Sequence, residues 1–535
     1  MFGVPGEETL DITDALLDSS IQFIPTRHEQ GAAFMADVYG RLSGKAGVCL
    51  STLGPGATNL VTGIADAYLD RAPLVAITGQ ASLNRMHKES HQYIDIHAML
   101  RPITKWSAEL FTPEMVPEAV RKAFHVAQTE KPGAVHLELP EDVAGQSIVD
   151  TPSCTPLPYK RSNLPEPLSA QIRKAIDMIG TAQRPLVLVG NGLVRGQAQD
   201  ALRQFARRVG MPVLHTFMAK GVMPDSDPLS LFTVGMQMMD YVAAVLKKCD
   251  LVIAVGYDLV EYAPCFWNPD CDKQIVHVDA SPAEVDAHYV VDVEVLGDIS
   301  LALSALTESL TDVDRQWSRS CREHIVSGFE TECSELYTWP MRPQHVVREL
   351  RNALDDDGLV ICDVGAHKLW MARMFPCEEP NRCIVSNGFA AMGIALPGAI
   401  GAQLLYPHRR VVAVTGDAGF LMNSQELETA VRYHLPIIVL VWRDDGYGVI
   451  GWKQQLRFGR TSGITFGNPN LVDYARSFGA AGFRVDSPTS FGDVFREALV
   501  CGKPAVIDCP VDYGENLRLS NRLQSLVLPS GAGQL

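Results

Sequence analysis

Unbroken apolar runs recur along the chain, each followed by a longer stretch whose apolar residues return with helical spacing. Gly47-Val48-Cys49-Leu50, Leu74-Val75-Ala76-Ile77, Leu186-Val187-Leu188-Val189, Leu251-Val252-Ile253-Ala254-Val255, Val411-Val412-Ala413-Val414 and Ile437-Ile438-Val439-Leu440-Val441 are such runs. A strand with one wet face alternates apolar and polar residues; these do not, so both of their faces are covered. Strands of this kind, alternating with helices, predict parallel sheets between helical layers, an α/β architecture. The rhythm breaks twice. Asp150 to Pro167 is rich in proline and lacks periodicity, so it reads as an extended linker. Residues 311–343 are charged, helical in part and interrupted at Trp339-Pro340. These cuts predict three doubly wound domains with mostly parallel sheets, at 1–150, 165–310 and 340–535. The length of 535 residues agrees, at roughly 100–200 residues per domain.

The first and third blocks echo each other. Lys131-Pro132-Gly133-Ala134-Val135-His136-Leu137-Glu138-Leu139-Pro140-Glu141-Asp142 and Lys503-Pro504-Ala505-Val506-Ile507-Asp508-Cys509-Pro510-Val511-Asp512 each read Lys-Pro, short strand, Pro, Asp. Each block also has a glycine turn between a strand and a helix start, at Leu53-Gly54-Pro55-Gly56-Ala57-Thr58-Asn59 and Thr415-Gly416-Asp417-Ala418-Gly419-Phe420. Two related α/β domains flanking a third are the expectation. Nearly half the residues are apolar and a fifth charged, the balance of a chain with real cores. A formal net charge of −16 repels phosphate backbones and argues against a nucleic-acid partner. Twelve cysteines without a CxxC pair read as reduced thiols of a cytoplasmic protein. No apolar run has the length to span a bilayer, and Met1 to Glu8 carries neither the basic nor the apolar region of a signal peptide.

The strongest chemical signal is Gly416-Asp417-Ala418-Gly419 with Asp444, 27 residues further on. The glycines allow a tight turn after a strand, and the helix behind it turns its N-terminal N–H groups toward whatever occupies the turn, which favours an anion such as a diphosphate. A carboxylate facing that anion makes sense only with a bridging cation, and magnesium takes one or two carboxylates plus phosphate oxygens. Asp444 follows the buried run ending at Val441, and neighbouring parallel strands end at one sheet edge, so both carboxylates can reach one ion. Singly, Asp417 reads as a helix N-cap and Asp444 as a turn residue; together they read as a metal pair. Glu29, in Arg27-His28-Glu29-Gln30-Gly31, reads by itself as a carboxylate favoured by a helix N-terminus.

These motifs, with Gln425-Glu426-Leu427-Glu428-Thr429-Ala430, resemble the thiamine diphosphate-dependent acetolactate synthase family along essentially the whole chain, and most nearly its FAD-independent catabolic members. The resemblance implies a pyrimidine-binding, a central Rossmann-like and a diphosphate-binding domain, the first lacking the helix with which family members begin. It implies Mg2+ held by Asp417, Asp444 and the Gly446 carbonyl, with Asp444 matching the catabolic members where many others have Asn. Glu29 matches the glutamate that shares a proton with the cofactor's aminopyrimidine ring, and Gln92, in His91-Gln92, faces the substrate pocket. Met392, in Ser386-Asn387-Gly388-Phe389-Ala390-Ala391-Met392-Gly393, wedges between the two cofactor rings. Pro5, Gly6, Gly54, Pro55, Asn59, Gly365, Ala366, His367, Ala390, Gly416, Ala418, Gly419, Met422 and Tyr447 complete the implied cofactor contacts. On pattern alone Met392 and Met422 are core residues.

In the family the first and third domains of one site come from different subunits, which implies a homodimer or homotetramer. The implied reaction decarboxylates pyruvate and joins the remaining two-carbon unit to a second 2-oxo acid, giving 2-acetolactate and CO2. The central Gly190-Asn191-Gly192 with Gly196 lacks GxGxxG spacing. Gly256-Tyr257-Asp258-Leu259-Val260-Glu261-Tyr262 stands where flavin-dependent synthases have Arg-Phe-Asp-Asp-Arg, so FAD is not expected. Other readings are a 2-oxo acid decarboxylase, a glyoxylate carboligase, an acetyltransferase, or an inactive cofactor-binding subunit. Glu29 argues against the carboligase, the missing histidine pair against pyruvate decarboxylases, and Glu29, Asp417 and Asp444 together against inactivity. Arg443 and Gly451-Trp452-Lys453, expected near the substrate, differ from these synthases and leave the second substrate open.

Overall fold

The computed structural model describes residues 1–147, 157–158, 163–236, 240–310, 316–334 and 337–524. The linker expected at 150–167 lies largely outside the described residues. Three six-stranded sheets, parallel throughout, account for the apolar runs. The first contains β1 (Phe2–Gly3), β2 (Ile24–Pro25), β3 (Gly47–Ser51), β4 (Leu74–Gln80), β5 (Trp106–Glu109) and β6 (Ala134–Pro140). The second contains β7 (Pro185–Val189), β8 (Val213–His215), β9 (Ser230–Thr233), β10 (Leu251–Val255), β11 (Gln274–Asp279) and β12 (Val293–Leu296). The third contains β13 (Leu359–Cys362), β14 (Cys383–Val385), β15 (Val411–Gly416), β16 (Ile438–Arg443), β17 (Ala481–Arg484) and β18 (Ala505–Pro510). Central strands such as β7, β10 and β13 are buried at every residue, as helices on both faces require.

The echo between the outer blocks is topological. The first sheet runs β2-β1-β3-β4-β6-β5 and the third β14-β13-β15-β16-β18-β17, one order repeated. The central sheet runs β12-β11-β10-β7-β8-β9, the order of dinucleotide-binding folds, with its switch point between β7 and β10. That crevice is filled from within. A Cβ on Gly190 would stand 2.5 Å from the Gly256 carbonyl oxygen and 2.7 Å from Glu261 Oε1. The Glu261 carboxylate accepts the Asn191 N–H at 2.9 Å and the Thr216 hydroxyl at 2.5 Å.

The first and third domains share one core. Helix Glu29–Ser43 lies against helix Ala395–Leu405, with Phe34, Met35 and Val38 in the same cluster as Leu396, Ala399 and Ile400. Their approach depends on absent side chains: a Cβ on Gly401 would meet Met35 O at 2.6 Å, and one on Gly398 would meet Val38 Cγ2 at 2.8 Å. Beside this seam the segment after β14 is tied to the first domain by buried carboxylates. Asp66 accepts the Ser386 hydroxyl at 2.8 Å, Asp70 accepts the Asn387 and Gly388 N–H groups, and Arg41 bridges Asp70 at 3.1 Å and the Val385 carbonyl at 2.8 Å.

Asp37 lies beside Asp66, and no N–H or hydroxyl donor meets either of its oxygens. A proton shared between the two carboxyl groups satisfies them. Burial, then the neighbouring carboxylates, push Asp37 well up, and burial with the Asp70 charge raises Asp66 to about 7. Both groups hold a proton more tightly folded than unfolded. Their contribution is therefore full in mild acid and is lost as pH rises from the ordinary carboxylate range through about 7. Asp37→Asn supplies a donor to Asp66 without titrating. Its Tm is expected to fall less than that of the wild type between about pH 5 and about pH 8; parallel melting curves for the two proteins would count against the shared proton.

Candidate active site

Adjacent strands β13, β15 and β16 end at one edge of the third sheet, and the candidate chemistry collects there. Asp417 opens helix Asp417–Asn423 directly after β15. Its Oδ1 accepts the Ala418 N–H at 2.9 Å, while Oδ2 accepts the Asp445 N–H at 2.8 Å and Asn468 Nδ2 at 2.7 Å. Asp417 is thus both a helix-start carboxylate and a member of the site. Asp444 follows β16, and among the described residues no other residue donates to it. Burial first, then the charges of Asp417 and Asp445, raise its pKa to about 8. Two neighbouring carboxylates, one with no external donor, form a site short of positive charge. Asp417, Asp444 and Gly446 line the same cavity, of about 490 Å3. Among the described residues no group of three or more His, Cys, Asp or Glu side chains forms a metal cage. Two carboxylates and Gly446 on one cavity wall are a donor set that a magnesium ion could use, completing its shell with water and phosphate oxygens.

Asp363, just past β13, organises the opposite wall. Its Oδ1 accepts the Val364 N–H at 2.7 Å and the Gly393 N–H at 2.8 Å, and Oδ2 accepts the Thr415 hydroxyl at 3.0 Å. One buried carboxylate thereby joins the loop after β13, the segment holding Ala390 and Met392, and the end of β15. Gly365, Ala366, His367, Ala390, Met392, Gly416, Ala418, Gly419 and Tyr447 all line the cavity. The His367 ring is buried edge-on to Trp442, and among the described residues its Nε2 has no partner. Burial lowers its pKa to about 3, which leaves a neutral imidazole with one unsatisfied nitrogen, as a ligand-facing group requires. Ala390 holds a left-handed backbone, φ 57°, a strain found most often at working sites. The apolar side comes from Met236 of the central domain and from Val449, Ile450, Trp452 and Leu456 on helix Gly448–Phe458.

Glu29 belongs to a different face. It begins helix Glu29–Ser43, and Asn59 Nδ2 donates to its Oε2 at 2.9 Å. A Cβ on Gly56 would lie 3.4 Å from Glu29 Oε1, and one on Gly54 would lie 2.5 Å from the Gln92 carbonyl oxygen. Gly54-Pro55 and exposed Gln92 are therefore neighbours at the β3 edge, and Gly6, which follows Pro5, packs against Thr52. None of Pro5, Gly6, Glu29, Gly54, Pro55, Asn59 and Gln92 lines the cavity of its own chain. Met422, 45 % exposed, does not line it either.

Arg443 was expected near the substrate, and the structure turns it elsewhere. Its Nε donates to Asp508 at 2.8 Å and its Nη1 to Asp445 at 3.0 Å, and it is no part of the cavity wall. Trp452 and Lys453 do line the wall, Trp452 with its indole N–H anchored on Ser520 Oγ at 2.9 Å. Sequence reasoning passed over Asp363, Lys368 and Asn468. Asp363 carried a usable signal, a carboxylate at the end of an unbroken apolar run; Asn468 sits in a loop without periodicity.

Comparison with known proteins agrees with this geometry. Residues 1–99 match the model "Thiamine pyrophosphate enzyme, N-terminal TPP binding domain", 172–306 its central domain and 363–509 its C-terminal TPP binding domain. Acetolactate synthase of Bacillus subtilis is 38% identical over 100% of this chain and 94% of its own length. A catabolic acetolactate synthase of Raoultella terrigena is 35% identical over 98% and 94%. A probable acetolactate synthase large subunit of Methanocaldococcus jannaschii is 35% identical over 99% and 92%. The chain belongs to the thiamine pyrophosphate enzymes, within the acetolactate synthase family.

Asn468→Ala removes the amide that steadies both Asp417 and Asp445. The Mg2+ concentration that half-saturates cofactor binding, followed by tryptophan fluorescence, is expected to rise about tenfold or more. An unchanged titration would show that the amide does not support the carboxylate pair.

Proposed function

We propose that this chain decarboxylates pyruvate with thiamine diphosphate and Mg2+ and joins the two-carbon unit to a second 2-oxo acid, giving 2-acetolactate and CO2. The observation that carries this reading is the division of chemistry between two faces. An under-charged carboxylate pair with an unpartnered imidazole lines one face, and a carboxylate at a helix start stands on the other. Asp417, Asp444 and the Gly446 carbonyl would hold the metal, and the N–H groups around Gly365-Ala366 and Ala418-Gly419 would receive diphosphate oxygens. His367, neutral, would donate or accept at the same end. Met392 would hold the bent cofactor shape, and Glu29 would share a proton with the aminopyrimidine nitrogen. Bound thiamine diphosphate supplies an electron sink for the carbanion left when CO2 departs. The wall of Val449, Ile450, Trp452 and Leu456 would give a departing carboxylate an apolar surrounding, which favours loss of its charge.

Because Glu29 is not on its own chain's cavity, a second copy supplies it, so the working unit is a homodimer or a pair of such dimers. The Glu261 carboxylate in the switch-point crevice supports a central domain without FAD. Small 2-oxo acids are the only partners this reading needs, with neither nucleic acid nor membrane; no helix among the described residues is long and apolar enough to cross a bilayer. A cytoplasmic location fits the reduced-thiol reading of the cysteines.

A product assay tests the reading. Pyruvate alone should give 2-acetolactate and CO2 only with thiamine diphosphate and a divalent ion, and added FAD should change nothing. Glu29→Gln should lower kcat by about 100-fold or more. Cofactor binding without CO2 release would sink the enzyme reading, and acetaldehyde as the product would make the chain a decarboxylase. Supplying 2-oxobutyrate or glyoxylate beside pyruvate identifies the second acid.

A further inference from the structure

We infer that Glu426 is a positioning residue for Glu29: from the third domain it clamps the two peptide N–H groups that precede Glu29. The inference rests on the reading above in which Glu29 shares a proton with the cofactor ring.

Glu426 follows helix Asp417–Asn423 and is completely buried. Its carboxylate accepts the Arg27 N–H at 3.1 and 3.3 Å and the His28 N–H at 3.0 Å. The Thr429 hydroxyl donates to Oε2 at 2.7 Å and fixes the side chain from behind. An anion here faces the start of the 15-residue helix Glu29–Ser43, where the helix dipole favours it. A second tie runs in parallel, from Arg432 Nη2 to the Pro25 carbonyl oxygen at 2.7 Å. Gly31 makes the approach achievable, since a Cβ there would stand 2.7 Å from Glu426 Oε1. Among the described residues of its own domain, Asn59 is the one side-chain partner of Glu29. The direction and depth of the Glu29 carboxylate are therefore set by the peptide groups just before it, and these are held across the domain boundary. An error of about 1 Å at a reacting group costs on the order of 100-fold in rate, so a clamp on the adjoining backbone is a lever on chemistry as well as on docking.

The test uses the full-length holoenzyme with thiamine diphosphate and Mg2+, and the variants Glu426→Gln, Gly31→Ala, Glu29→Gln and Glu29→Gln/Glu426→Gln. The readouts are the rate of C2-proton exchange of the bound cofactor by acid quench and NMR, the cofactor Kd by fluorescence, and Tm. Glu426→Gln is expected to slow exchange about tenfold or more while Kd stays within about threefold, because the diphosphate and metal contacts are untouched. Gly31→Ala, which helix propensity alone would favour, should displace Glu426 and slow exchange in the same direction. The double variant should be no slower than Glu29→Gln, the sign of a residue acting through Glu29. A lower Tm with wild-type exchange per bound cofactor would reduce Glu426 to a docking contact and overturn the inference, as would a double variant slowed by the product of the single effects. Should Glu426→Gln not fold, Gly31→Ala decides alone. Wild-type exchange in Glu29→Gln would sink the reading of Glu29 and the inference with it; slow exchange there beside wild-type exchange in both other single variants would sink the inference only.

Discussion

Asp417 and Asp444 stand at the ends of adjacent parallel strands with fewer positive partners than their charge demands. Burial alone would drive both toward the neutral acid, yet Asp417 is committed as an acceptor to two peptide N–H groups and an amide. The remaining deficit falls on Asp444. The divalent cation proposed above would remove it, and the contacts around the pair hold two like charges close enough to share one. Asn468 donates to Asp417 and to Asp445 at 2.7 Å each, so the turn after β16 cannot relax and carry Asp444 away.

A second constraint acts on the whole molecule. Two domains of one strand order are pressed together over Gly398 and Gly401, with buried carboxylates stitching the segment after β14 to the first domain. The candidate residues of each lie at the carboxyl ends of its strands, but the two edges on one chain do not line one cavity. The central domain has the strand order of a nucleotide binder and closes its crevice with Glu261, so its contribution to the cavity is made through residues such as Met236 instead.

Much of this was legible in the sequence. Runs such as Leu251 to Val255 and Ile437 to Val441 contain no polar residue, as a strand covered on both faces tolerates, and the Asp417–Asp444 spacing spans helices Asp417–Asn423 and Leu427–Arg432 and one such strand. β1, two residues long, carries no pattern long enough to read. Arg443 was expected toward the substrate, wrongly, because a residue at a strand end can turn to either side and the deciding partner, Asp508, is 65 residues away. Glu426 is the clearest case. Along the chain it is one acidic residue in an amphipathic turn, and only the fold reveals that it ends 399 residues back, at Arg27.

The helix Gly448–Phe458 differs from every other wall of the cavity in how it is held. Gly451 is its one buried residue, and the Trp452 indole on Ser520 is its anchor to the tail helix Gly514–Gln524. The walls built on β13, β15 and β16 are fixed by buried carboxylates and by core shared between domains. Local opening costs least where the fewest apolar contacts must part. Opening is therefore cheapest at this helix, and a cavity-lining tryptophan is also the residue that ties the helix to the tail.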